Sequence, residues 1–157
     1  DLKAIAEGLR MVVRHEYLSA RIEQVRRFAE RLARDRIPVL RPAGGHAVYL
    51  DVDRFFDDVP VQDRDYPGVA LVALLLVAGH RLCELGVYAF ELEDVPVPRN
   101  NFVRAAVSRL AYEDQDLFAC AEVIRLLYEH RARIPKVEVV YGAELPLRHF
   151  KSRFRFV

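Results

Sequence analysis

Cysteine, lysine and net charge are all scarce in this chain of 157 residues. Two cysteines, Cys83 and Cys120, are too few for a disulfide framework and have no metal-motif spacing. They fit a reducing, cytoplasmic setting as small core residues. Lysine occurs only at Lys3, Lys136 and Lys151, and none lies in a recognisable Schiff-base or phosphate-loop motif. A formal net charge of +1 gives no electrostatic case for binding nucleic acid or an anionic membrane. The longest apolar run, Val69 to Gly79, is too short to cross a bilayer and reads as a buried helix. Signal peptide, internal repeat and low-complexity segment are also missing. What is present, 52% hydrophobic and 30% charged residues, is the composition of a packed domain. The chain starts without Met inside a helical pattern, as an excised piece of a longer protein would.

Periodicity sets the expected elements. Leu2, Ile5, Leu9 and Val12 recur at helical spacing, with Asp1 placed to cap. Leu18, Ile22, Val25, Phe28 and Leu32 mark a longer amphipathic helix whose arginine-rich outer face leaves its apolar side to lie on a sheet. That sheet is expected to begin at Ile37 to Arg41, constrained by Pro38 and Pro42, and to continue after Gly44-Gly45 with Ala47 to Asp51. Asp53 to Asp65 reads as a polar loop or short helix, and Pro67 opens the apolar helix. Further strands are expected at Val87 to Leu92, Phe102 to Val107, Val137 to Tyr141 and Phe150 to Phe156. The proline-bearing stretch Val95 to Asn100 joins the first two of these. A helix opened by Asp114 or Asp116 carries Leu117, Ala121, Ile124, Leu127 and Tyr128 inward. The pattern is α/β or α+β, a sheet covered by helices.

One charged residue interrupts an apolar strand. Alternation puts Phe102, Arg104 and Ala106 on one face and Val103 and Ala105 on the other. The plain reading is a solvent-facing arginine. The sharper one is a guanidinium fork that takes the α-carboxylate of an amino acid through two parallel hydrogen bonds.

Three segments, in order, carry a resemblance: Gly44-Gly45-His46-Ala47-Val48-Tyr49-Leu50-Asp51, Asn101 to Arg109, and Leu147-Arg148-His149-Phe150. Together they resemble the C-terminal part of the β-eliminating amino-acid lyases, the tryptophanase and tyrosine phenol-lyase family, over essentially the whole chain. The resemblance implies the small domain of a fold-type I, aspartate-aminotransferase-like enzyme at 37–157. Residues 1–36 would connect to a large pyridoxal phosphate (PLP) domain, whose cofactor lysine would precede residue 1. It implies β-elimination from an amino acid to give pyruvate, ammonia and a leaving group. Arg104 matches the arginine that binds the substrate carboxylate, although Val107-Ser108-Arg109 stands where the family has Ile-Pro-Arg. His149 matches an active-site histidine of the tryptophanases, on the leaving-group side, where tyrosine phenol-lyases have Phe. Phe150 would be an aromatic wall beside the substrate. Leu85 stands where the phenol-lyases carry an arginine that contacts the phenolic ring, so indole or a thiol suits this pocket better. Gly86 to Glu91 departs from both enzymes. Kinship also implies a homo-oligomer, a tetramer in the family, and a potassium-like cation.

Two rivals stand beside that reading. One is a carbon–sulfur lyase domain of a biosynthetic assembly line, acting on S-substituted cysteine. The other is a non-catalytic module that binds an amino acid or docks to a partner, with a split enzyme between them. His80-x-x-Cys83 lacks a second ligand pair for zinc. Asp57-Asp58 with Asp63 and Asp65 lacks the order of a calcium loop. No serine-nucleophile signature occurs.

Overall fold

The computed structural model describes residues 1–62, 65–90 and 100–157. Two helices lead: α1, Leu2–Val12, and α2, His15–Arg34. Asp1 occupies the N-cap position of α1 but its side chain makes no capping bond. The apolar stripe of α1 is exposed, and so are Leu18 and Ile22 at the start of α2. Only the second half of α2 is buried, through Gln24, Val25, Phe28, Ala29 and Leu32.

The main sheet is three-stranded and antiparallel, in the order β1-β3-β2, with β1 Ala47–Asp51, β2 Cys83–Leu85 and β3 Phe102–Ala106. Register pairs Tyr49 with Arg104 and Cys83 with Arg104; Asp51 and Leu85 both face Phe102. Val48, Leu50, Val103 and Ala105 turn inward, as alternation predicts. Short α3, Val52–Phe55, follows β1 at once, capped by Asp51, which accepts from the Arg54 N–H at 3.1 Å. Helix α4, Pro67–Val77, starts on its proline and buries Leu71 and Leu75. Helix α6, Asp114–Glu129, opens after Glu113, whose N–H donates to the Asp116 carboxylate at 2.8 Å. The expected partner of α2 was the sheet; α6 is a second one. Arg27 holds Asp114 (2.8 and 3.1 Å), Arg31 reaches Glu122 (3.2 Å), and the Gln24 amide donates to the Tyr112 carbonyl (2.8 Å).

Three expected strands are corrected. Ile37 to Arg41 contributes only a single bridge, Val39 to Leu50, as suits a segment in which Pro38 and Pro42 have no N–H to donate. Val87–Phe90 is a helix, α5, rather than a strand; Glu84 accepts from the N–H groups of Tyr88 (3.2 Å) and Ala89 (3.1 Å) and so closes a helical turn. The strand that pairs there is the preceding Cys83–Leu85, too short to show alternation. Phe150 also leaves its expected strand for helix α7, Arg148–Lys151. Glu91 and Leu92 of the expected strand, most of Val95 to Asn100, and Asp63 lie outside the described residues.

A second sheet pairs β4, Val137–Tyr141, with β5, Arg153–Phe156. It has its own small core of Val69, Ala70, Tyr88 and Val137, flanked by Tyr66, Ile134, Val139 and Phe154. No helix among the described residues is long and apolar enough to cross a membrane.

Candidate active site

Arg104 sits at the centre of the middle strand, on the face turned away from the main core and half-buried. Its cross-strand neighbours are Tyr49 on one side and Cys83 on the other. Among the described residues no carboxylate or hydrogen-bond acceptor engages its guanidinium. In this it differs from Arg26, Arg27, Arg31, Arg125, Arg131 and Arg155, which are ion-paired. Two residues along the same face, Phe102 lies opposite Leu85 and meets the Tyr49 ring edge-on at 6.2 Å between centroids. Arg104, Phe102 and Leu85 therefore form one surface, a cation beside an apolar wall.

His149 and Phe150 stand on α7, whose preceding residue Leu147 is in the left-handed region at φ 56°. Their rings lie 4.0 Å apart, with His149 half-buried and Phe150 76% exposed. No hydrogen bond or ring contact joins them to Arg104 or Leu85 among the described residues. The link between the two pairs runs instead through α5, which begins two residues after Leu85. Arg148 donates from Nε to the Tyr88 carbonyl at 2.8 Å and lays its guanidinium 4.6 Å from the centre of the Tyr88 ring. The Tyr88 hydroxyl bonds Ser152 Oγ, which donates to the Gly142 carbonyl at 3.0 Å.

At the root of this link lies Glu84. Burial pushes its carboxyl above the usual range, against the opposing pull of the N–H groups of Tyr88, Ala89 and Gly86 and of the Arg148 charge. Gly86 is required beside it: a Cβ there would run into the Asn101 amide oxygen and stand 2.7 Å from Glu84 Oε1. Sequence reasoning missed Glu84 and Tyr88. Their one signal was Gly86 between a glutamate and an apolar turn.

Neither of two surface clefts contains the expected residues. One, of about 380 Å³, lies between Phe28, His80, Leu82, Ala106 and Cys120. The other, of about 350 Å³, is lined by Asp53, Phe56, Asp57 and Gln62. Burial pushes the Cys120 thiol up to about 12, so it stays protonated and is no nucleophile. No group of three or more His, Cys, Asp or Glu side chains that could hold a metal occurs among the described residues.

No family model matches the chain. Curated relatives do. A "Probable tryptophanase" of Aeropyrum pernix is 39% identical over 156 residues, 96% of this chain and 33% of the relative. A "Tyrosine phenol-lyase" of Fusobacterium nucleatum is 37% identical over 160 residues, 98% of this chain and 34% of its own. A "Probable beta-eliminating lyase" of Trichomonas vaginalis is 35% identical over 158 residues. These relatives are lyases, and the mixed α/β domain is consistent with the C-terminal domain of such enzymes. The chain belongs, as a C-terminal portion, to the tryptophanase and tyrosine phenol-lyase family of β-eliminating lyases. It spans about one third of the length of the curated relatives it matches.

PLP goes with that family, and the described residues do not fit it. Lys136 is paired with Asp65 at 2.9 Å, while Lys3 and Lys151 are exposed and line neither cleft. The cofactor lysine and the phosphate cradle would belong to the rest of the enzyme.

Proposed function

We propose that this chain is the substrate-engaging C-terminal part of a PLP-dependent lyase that eliminates the β-substituent of an amino acid, releasing pyruvate and ammonia. The observation that carries the reading is Arg104, a guanidinium without an ion-pair partner among the described residues, held at the centre of a sheet. A planar fork there receives an α-carboxylate through two charge-assisted hydrogen bonds. Fixing the carboxylate fixes the direction of the Cα–H bond, which is the positioning such an elimination needs. His149 serves the leaving group as proton donor, and Phe150 flanks the substrate. Leu85 offers no hydrogen bond, so the leaving group is apolar: an indole or a thiol before a phenol. The same apolar wall of Leu85 and Phe102, with Cys83 alongside, favours a carbon–sulfur lyase as the second reading.

In the whole enzyme the domain would be the small one of a fold-type I architecture. Residues 1–36 would lead to the large domain and 37–157 would form the small one. The exposed stripe of α1 supports a covering partner at that end, while Val25 to Leu32 already pack in the core. An oligomer and a monovalent cation belong to the same reading, as does a cytoplasmic setting.

The test is pyruvate release by the enzyme from tryptophan, tyrosine and S-methylcysteine. Arg104→Ala is expected to lower kcat/KM by roughly 100- to 1,000-fold, the worth of two hydrogen bonds to a charged group, with little change in melting temperature. A variant that keeps wild-type kcat/KM, or an enzyme that forms no pyruvate from any of the three, would refute the reading.

A further inference from the structure

The two halves of the proposed site rest on different parts of the fold, and among the described residues a set of directed polar contacts through α5 joins them. We infer that Arg148 and Tyr88 form a positioning device that sets where the His149 imidazole stands relative to the Arg104 surface; this rests on the lyase reading above. Tyr88 is 1% exposed, gripped edge-on by the rings of Tyr66 (5.1 Å) and Phe154 (4.9 Å). It belongs to a turn that leaves β2 directly after Leu85 and is closed by Glu84. Its place is therefore fixed with respect to the sheet that carries Arg104. Arg148 binds this anchor twice, by its Nε–H to the carbonyl and by its charge over the ring. The hydroxyl binds it a third time through Ser152 and Gly142.

Such a clamp has something to hold. Leu147 takes a left-handed conformation that a branched side chain adopts only under restraint. His149 follows Arg148 immediately, so the ring's position is set by a turn restrained at Leu147, Arg148 and Ser152. Arg148 does not need to touch the substrate; it acts through its neighbour.

The consequence depends on the leaving group. When a carbon–sulfur bond breaks, its electron pair departs with sulfur, which takes a proton from the imidazole and leaves as the thiol. Chloride departs with its electron pair and needs no proton. Arg148→Leu in the full-length holoenzyme is thus expected to lower kcat on S-methylcysteine about ten- to a hundredfold, the size of a displaced reacting group. On β-chloroalanine kcat should hold within about twofold and KM should be unchanged for both, since carboxylate binding is elsewhere. Arg148→Lys should recover part of the loss, and Arg148→Leu should add nothing in a His149→Phe background. Tyr88→Phe, which keeps the ring and cuts only the Ser152 link, should show the same substrate split at smaller size, and carries the test should Arg148→Leu not fold. An equal loss on both substrates, additivity with His149→Phe, or an unaffected kcat would overturn the proposal while leaving the lyase reading intact. A wild-type enzyme inactive on both substrates would overturn the reading and the proposal with it.

Discussion

Around the three-stranded sheet, side chains from α2, β1, α3, α4, β3 and α6 close into one apolar core that includes Phe28, Leu32, Leu50, Phe55, Leu71 and Ile124. Among the described residues the two-stranded sheet covers a smaller buried core of Val69, Ala70, Tyr88 and Val137. The first region holds Arg104 by burying its neighbours, so the strand cannot turn over without exposing Val103 and Ala105. The second holds His149 by polar links onto a single buried tyrosine. Arg104, proposed to bind the carboxylate, and His149, proposed to serve the leaving group, thus have supports of unlike stiffness, one set by area removed from water and one by directed bonds.

That contrast can be broken most forcefully at its stronger end. Leu50→Ala, fully buried between β1 and its neighbours, is expected to cost about 3–5 kcal/mol in denaturant unfolding. Val137→Ala, in the smaller core, should cost about half that and leave the main sheet intact, because less apolar area surrounds it. Equal costs would mean that the two cores are one cooperative unit.

The junction comes next. Gly86→Ala forces a methyl group against Asn101 and Glu84 and should destabilise by about 1–3 kcal/mol. In kinetics it should harm the His149 side more than carboxylate binding.

Glu84 sharpens the comparison through pH. Its folded carboxyl titrates above the ordinary value of 4.5, so between that value and the raised one the folded protein binds more protons than the unfolded chain. Stability from this group is therefore fullest below pH 4.5 and is lost as pH rises through the raised value. Glu84→Gln should flatten that part of the stability profile, measured as melting temperature from pH 4 upward. A profile that keeps its slope would remove Glu84 as the cause. The smallest effect belongs to the outer rim. Glu138→Ala breaks an exposed cross-strand pair with Arg155 on the second sheet and should change stability by less than about 0.5 kcal/mol.

Much of the main region was legible. Ala47 to Asp51 and Phe102 to Val107 read as strands, the second ending one residue earlier in the structure, and the inward and outward faces of Arg104 and Val103 followed from the strand period alone. Helix α4 was visible in Pro67 and the apolar run, and α6 in the spacing of Leu117, Ala121 and Ile124. The second region was not. Val87 to Phe90 has a strand's composition, yet it is a helical turn because a glutamate three residues earlier accepts its N–H groups. β-propensity is a preference for a half-buried pleated surface, and among the described residues no strand pairs with this segment. Likewise Phe150 left its expected strand once Arg148 was drawn to Tyr88, 60 residues away. Cys83–Leu85 was missed because three residues hold too little pattern to read.

The sequence by itself determined the alternation that exposes Arg104, the helical stripes, and the ordered segments that tie this chain to β-eliminating lyases. These are local or short-period properties, carried by neighbours along the chain. Only the tertiary structure decided that Leu85 shares a face with Arg104, that Tyr88 is the buried hub, and that Arg148 fastens the turn bearing His149 to it. Those relations join residues far apart in sequence, and their energies depend on burial and hydrogen-bond geometry, which exist only once the chain has closed around them.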